Sequence, residues 1–162
     1  MRDNKPDSQN ICNAGEYYIA SILSANGFTT TLTLGRAEKY DILAINPKGK
    51  TIKLQVKTSY GQGSKWRMNS KNEKNEERKL YYAFVRLNDL KKEPEFWIVP
   101  SKVVAHFIKE HYRKWLKTPG YKGQKHKKGD WRTFRIKADS FSPKNWDQKC
   151  KKYYKNIDLL LK

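Results

Sequence analysis

Cysteine and histidine are scarce in this chain of 162 residues, which has two cysteines and three histidines. Cys12 and Cys150 do not form a Cys-x-x-Cys pair, and the histidines, His106, His111 and His126, lack the spacing of metal ligands. A structural zinc site is therefore not expected. The two thiols could form one bridge, but reduced thiols of a cytoplasmic protein explain them better.

Long apolar runs are also missing from the sequence. No stretch approaches the ~18 consecutive apolar residues of a membrane span. The amino-terminal residues MRDNKPDSQN lack the apolar centre of a signal peptide. The length is typical of one domain, and a hydrophobic content of 37% with 13% aromatic residues suffices for one core. We expect a single soluble domain over residues 1–162, located in the cytoplasm without a membrane partner, and leave open whether it forms a homodimer.

Acidic residues are few, with 16 Asp and Glu against 35 Lys and Arg, a net charge of +19 and a sequence pI near 9.9. Such an excess attracts polyanions and favours a nucleic-acid partner, here DNA. The excess is concentrated in residues 109–137, which contain eleven Lys or Arg residues and two acidic residues. A basic surface that serves solubility alone is the competing explanation.

Aromatic residues alternate with cations in that basic stretch. Bases can stack on such side chains, although core packing is the more natural role for Trp131 and Phe134; the others are Tyr112, Trp115 and Tyr121. The candidate nucleic-acid contacts are the cations Lys65, Arg67, Arg113, Lys114, Lys122, Lys125, Lys127, Lys128 and Arg132.

Hydrophobic periodicity predicts a mixture of helices and strands. A helix over 13–26 begins at the cap residue Asn13 and ends before Gly27. A second helix starts at Ser101, and an apolar stripe from Ser142 predicts a third. The polar residues 60–79 and 117–130 are predicted loops. Predicted strands cover 28–34, 42–45, 51–59, 80–87, 95–100 and 131–136. This order predicts an α/β fold with a mixed sheet covered on both faces.

The segment KYDILAINPKGKTIKLQVKTS, residues 39–59, contains polar residues within an apolar hairpin. Strand alternation places Gln55 and Lys57 on one face. Asp41 joins them if it lies opposite Gln55, whereas apolar pairing slightly favours the neighbouring register, with Leu43 opposite Ile52.

These three side chains together would suit phosphodiester hydrolysis. Asp41, the Gln55 carbonyl and the Val56 backbone carbonyl are hard oxygen donors for Mg²⁺. The Lys57 ammonium could orient the nucleophile or stabilise charge that develops on the phosphate. The alternative is an ordinary solvated strand face shared with Lys53.

Glu16 is a candidate fourth member of the site. It projects near the apolar side of the first predicted helix, where a carboxylate is unusual. It also occupies the third helical position after Asn13, where an acid stabilises the helix start. The sequence leaves both explanations open.

The motifs GEYYIASILSANGF, YDILA and LQVKTS, in this order, resemble the PD-(D/E)xK nuclease superfamily. The resemblance covers residues 14–100 and implies a restriction endonuclease-like α/β fold with a mixed central sheet flanked by helices. We expect this core over about 13–100, with a basic helical C-terminal extension over 101–162 that completes the fold and binds nucleic acid.

The resemblance also implies roles for individual residues. Glu16 and Asp41 would be metal ligands, Lys57 the catalytic lysine, and Gln55 would occupy the place of a second acid. The expected activity is cleavage of DNA by an endonuclease with Mg²⁺, or Mn²⁺ as the alternative ion. Because Gln55 brings no charge, an inactive DNA- or RNA-binding module on the same scaffold is the alternative. An RNA-binding protein of unrelated fold is a third hypothesis.

Overall fold

The computed structural model describes residues 5–33 and 40–162. Its first helix, α1, spans Ser8–Ala25, and the Asp7 side chain caps it by accepting a hydrogen bond from the Asn10 N–H at 2.8 Å. The predicted start at Asn13 is wrong, because this cap begins the helix well upstream. Gly27 follows the helix with φ +79°, as expected for a residue that terminates the last turn.

Seven strands in the described residues form two sheets. Five of them make a mixed central sheet in the order β1-β2-β3-β5-β6, in which only β3 and β5 are parallel neighbours. β4 and β7 form a separate antiparallel pair. The predicted strand 28–34 extends to Leu34, which lies outside the described residues. The strands are β1 (Thr29–Leu32), β2 (Ile42–Ile45), β3 (Thr51–Ser59), β4 (Lys65–Asn69), β5 (Leu80–Arg86), β6 (Glu95–Pro100) and β7 (Trp131–Arg135).

Both faces of the central sheet are covered, as the sequence predicted. The helix α1 packs Ile19 and Leu23 against one face. The other face carries Tyr82 and Phe84 and lies beneath β4, β7 and the helices α2 (Ser101–Lys117) and α3 (Trp146–Lys151). No helix of the described residues has the length and apolarity needed to span a bilayer.

The predicted loop over 60–79 is wrong. It contains β4 and a 3-10 helix over Ser70–Lys74. Only two residues of β4, Trp66 and Met68, are buried. The partner strand β7 lies more than sixty residues later in the chain, so local sequence gives little sign of the pairing.

The C-terminal part is only partly the predicted helical extension, since α2 begins at Ser101 as predicted but the rest is not one helix. It contributes β7 to the sheet pair, and its predicted long helix from Ser142 is replaced by α3 and a 3-10 helix over Ile157–Leu161. Between these helices the chain runs along β6, where the Ile98 N–H donates to the Tyr153 carbonyl at 3.0 Å and the Lys155 N–H to the Phe96 carbonyl at 2.9 Å. The chain after α3 thus covers the edge strand β6, and the predicted helix from Ser142 is interrupted there.

Candidate active site

The hairpin of β2 and β3 adopts the register that Asp41 requires. Ile42 pairs with Leu54 and Leu43 with Lys53, a register that would bring Asp41 beside Gln55 if it continued by one residue. The Asp41 N–H instead donates to the Leu54 carbonyl at 2.8 Å, one residue out of this register, so the chain bulges at Asp41. The apolar register that the sequence slightly favoured, Leu43 opposite Ile52, does not occur.

The Asp41 carboxylate is fixed by the backbone of β3. Its Oδ2 accepts a hydrogen bond from the Val56 N–H at 2.6 Å. Burial raises the pKa of Asp41, while this hydrogen bond and the positive charge of Lys57 act in the opposite direction. The carboxylate thus lies in a partly desolvated position beside a cation.

Glu16 lies in the third turn of α1, not at the helix start. The explanation of Glu16 as a partner of an N-terminal cap is therefore wrong. Burial raises the pKa of Glu16, the Asp41 charge raises it further, and Lys57 opposes both effects. The charges of Asp41 and Lys57 therefore both influence the Glu16 carboxyl group.

Gly15 allows α1 to approach β3 closely enough for this arrangement. A Cβ built at Gly15 would overlap the Thr58 hydroxyl and lie 2.9 Å from the Thr58 Cβ. Any larger residue would therefore displace the helix that carries Glu16. Sequence reasoning missed this role, since the close approach depends on a contact between distant segments.

The Gln55 side chain presents an unsatisfied oxygen in this site. Gln55 and Lys57 pair with Tyr82 and Phe84 of β5, on the face of the sheet that lies beneath β4, β7 and α2 and away from α1. Gln55 Oε1 is buried and has no hydrogen-bond partner among the described residues. A buried acceptor without a donor costs about 1–3 kcal/mol. This face is therefore not the solvated strand face that was the alternative.

The donor set suits a hard cation, although it has little negative charge. Asp41 and Glu16 offer carboxylate oxygens, Gln55 offers its orphaned carbonyl, and Val56 remains a predicted backbone ligand. Among residues 5–33 and 40–162, no group of three or more His, Cys, Asp and Glu side chains could hold a metal. A metal ion bound here would need neutral oxygen ligands to complete its coordination shell.

Cys12 lies one turn before Glu16 on α1 and was not predicted to belong to the site. Burial raises its pKa, as do the charges of Glu16 and Asp41, whereas Lys57 lowers it. The i, i+4 spacing from Glu16 is the sequence signal that could have placed it on the same helix face.

A cleft of about 440 Å³ opens at Lys57. It extends to Lys65 and Arg67 at the beginning of β4, and Cys12 lies on its α1 side. Two of the predicted nucleic-acid contacts therefore line the same cleft as the predicted catalytic lysine.

The other predicted nucleic-acid contacts lie on α2, the following loop and β7. Arg113 pairs with Glu110 at 2.5 Å, and Lys114 donates to the Ser142 carbonyl at 3.4 Å. Arg132 is buried, with its guanidinium bonded to the Glu73 carboxylate and to backbone carbonyls. The exposed cations of the loop are Lys122, Lys125, Lys127 and Lys128.

The aromatic residues of the basic stretch are divided between core and surface. Phe134 is fully buried and stacks on Phe84, which confirms its predicted core role. Trp131 is 58% exposed, so the same prediction for Trp131 is wrong. Tyr121 is fully exposed, whereas Tyr112 and Trp115 stack on each other.

The fold is similar to that of the bacterial homing endonuclease I-Ssp6803I. The two structures align with a TM-score of 0.52 and 12% sequence identity, over 97% of this chain and 93% of that one. No protein-family model and no curated protein sequence matches this chain. The similarity shows a nuclease-like fold.

Proposed function

We propose that this protein is a metal-dependent endonuclease of the PD-(D/E)xK type that hydrolyses phosphodiester bonds of DNA. The observation that carries the proposal is the buried Gln55 oxygen, which has no hydrogen-bond partner in the described residues. Gln55 lies on β3 beside Val56, whose N–H binds the Asp41 carboxylate, and two residues before Lys57. A bound cation would satisfy this oxygen. The nuclease-like fold and the net charge of +19 support DNA as the substrate.

The chain's own residues divide the work. Asp41, Glu16 and the Gln55 carbonyl would hold Mg²⁺ or Mn²⁺, and the Val56 N–H keeps the Asp41 carboxylate in one orientation. When bound, the ion supplies activation of a water and neutralisation of phosphate charge. The Lys57 ammonium stabilises negative charge that develops on the scissile phosphate.

A catalytically inactive DNA-binding module on the same fold is the second candidate. The observation in its favour is that the site holds two carboxylates, without a group of three potential acidic, His or Cys ligands in the described residues. Such a module would bind DNA without cleaving it.

The test is cleavage of linear, supercoiled, single-stranded and branched DNA with Mg²⁺, Mn²⁺ or EDTA. Lys57→Ala and Asp41→Asn should abolish cleavage while DNA affinity in EDTA stays within a few-fold of wild type, because non-specific affinity comes mainly from phosphate contacts. Asp41→Asn keeps an oxygen that can accept the Val56 N–H, so the fold should persist.

Lys53→Ala is the matched control, since Lys53 lies on the same face of β3 but pairs with Glu77 at 2.5 Å. It should cleave DNA like wild type. Wild-type cleavage by either site variant would refute the site. Binding by the wild-type protein without cleavage under any of these ions would favour the inactive module.

A further inference from the structure

The β4–β7 pair forms a two-stranded ribbon with one outward face. Trp66, Met68 and Phe134 point inward to the core. The outward residues are opposite one another in pairs, namely Lys65 with Arg135, Arg67 with Thr133 and Asn69 with Trp131. This face, which we call the ribbon face, exposes Lys65, Arg67 and Trp131, whereas Arg135 is half-buried and paired with Asp139.

Arg67 on the ribbon face is held in place by an aromatic ring. Its guanidinium carbon lies 3.0 Å from the centre of the Trp131 ring, across the diagonal of the strand pair. Both side chains are exposed. Stacking fixes the plane of the guanidinium without using its five N–H donors.

Arg67 also lacks the carboxylate partners that four of the five other described arginines have. Within residues 5–33 and 40–162 it has no carboxylate partner and donates no hydrogen bond. By contrast, Arg86, Arg113, Arg132 and Arg135 pair with Glu95, Glu110, Glu73 and Asp139. An ordered guanidinium with free donors is suited to bidentate recognition of a planar acceptor pair.

The ribbon has dimensions that fit a groove of duplex DNA. Five residues per strand extend over about 17 Å, and a two-stranded ribbon enters the major groove, which is about 12 Å wide. The deep, narrow major groove of A-form RNA does not admit such an element. Lys65 and Arg67 line the cleft that opens at Lys57, so the ribbon begins beside the candidate active site.

We propose that the ribbon face enters the major groove of duplex DNA next to the cleaved bond, and that Arg67 recognises a guanine there through its O6 and N7 atoms. Trp131 is a positioning residue that holds the Arg67 guanidinium. The proposal rests on the proposed function in taking duplex DNA as the ligand. It assigns sequence preference to Arg67, while the loop lysines supply affinity that does not depend on sequence.

The test is selection of bound sequences from a randomised duplex DNA library in EDTA. Wild type should enrich guanine at one fixed position. Arg67→Lys keeps the charge but loses the bidentate fork, so this preference should fall about ten-fold. Trp131→Leu should weaken the same preference at the same position.

Arg78→Lys is the matched control, because Arg78 is also exposed but lies outside the ribbon. Its selected sequences should match those of wild type. A wild type without base preference, or an Arg67→Lys variant that keeps the full preference, would overturn the proposal. So would an equal loss in Arg67→Lys and Arg78→Lys.

Failure of the proposed function gives different results. If wild type selects a sequence but cleaves no DNA with Mg²⁺ or Mn²⁺, the ribbon proposal stands and the nuclease proposal fails. If it cleaves DNA without an Arg67-dependent preference, only the ribbon proposal fails. Absence of any binding to duplex DNA refutes both.

Discussion

Gln55 is the residue on which the chemistry of this site depends most. Its buried oxygen has no donor in the described residues, and the N–H of its neighbour Val56 binds the Asp41 carboxylate. An amide in this place adds an oxygen without adding charge, so an ion would be held by two carboxylates rather than three. Metal affinity is therefore the property that a single substitution at Gln55 should change.

We expect Gln55→Glu to tighten Mg²⁺ binding, because it adds an anionic oxygen at nearly constant volume. Calorimetric titration of the wild-type protein and the variant with Mg²⁺ measures the difference. Catalytic rate need not increase, since a more anionic set of ligands makes the ion a weaker Lewis acid.

Two control variants accompany the Mg²⁺ titration of Gln55→Glu. Asp41→Asn should bind Mg²⁺ less tightly than wild type. Gln148→Glu adds the same charge on the exposed surface of α3 and should leave Mg²⁺ affinity unchanged. Equal Mg²⁺ affinities in all four proteins would refute a metal site in this hairpin.

At the scale of elements, the packing of α1 on β3 decides whether Glu16 reaches the site. Gly15 meets Thr58 at the closest point, and Thr58 Oγ1 is itself buried without a partner among the described residues. The helix therefore cannot accept a side chain at this position without moving.

Gly15→Ala should lower the free energy of unfolding by about 1–3 kcal/mol through overpacking, although alanine favours a helix by about 1 kcal/mol over glycine. DNA cleavage should fall as well, because Glu16 moves with the helix. Urea denaturation and a cleavage assay measure the two effects.

Gly129→Ala is the control for this substitution, since a Cβ at Gly129 meets nothing within 4 Å. It should alter stability by less than about 0.5 kcal/mol. The double variant Gly15→Ala with Thr58→Ala should recover part of the lost stability. Wild-type stability of Gly15→Ala would show that the contact is not tight.

The sequence predicted the elements whose patterns are local and missed those that depend on distant contacts. The alternation of Ile52, Leu54 and Val56 defined β3 within its observed bounds. The strand β4 was missed because two inward residues among five are too few for a periodic signal. The C-terminal helix was overestimated, since its apolar stripe also fits a chain that covers the edge of β6.

The candidate site follows the same division. Strand alternation placed Gln55 and Lys57 on one face, but the hairpin register and the start of α1 decided the positions of Asp41 and Glu16. Hydrophobic periodicity predicts neither the hairpin register nor the start of α1. The register depends on how the whole sheet is buried, and the true cap, Asp7, lies upstream of the predicted cap, Asn13.

At the scale of the whole molecule, positive charge is concentrated on the loop between α2 and β7. Lys125, Lys127 and Lys128 are exposed there. Each phosphate contact on duplex DNA contributes about 0.9 to the slope of log K against log salt concentration. Replacing the three lysines with alanine should therefore flatten the slope by up to about 2.7 units if each contacts a phosphate.

The matched control removes the same charge at the end of the sheet that carries the β2–β3 turn, where the Asn46 side chain donates to the Leu160 carbonyl. Lys48, Lys50 and Lys162 are exposed at this end. Their joint replacement by alanine should leave the slope nearly unchanged. Equal slopes in both triple variants would show that DNA does not follow the loop.

The pairing of β4 with β7 has a consequence for synthesis of the protein. Residues 65–69 can pair with residues 131–135 only after the latter have been synthesised. The ribbon therefore forms only after most of the chain has left the ribosome. The site residues Glu16, Asp41 and Lys57 are all made before that point. A nascent or truncated chain that ends before Trp131 can contain every proposed catalytic residue yet lack the ribbon, and therefore the element that we propose to select the DNA sequence.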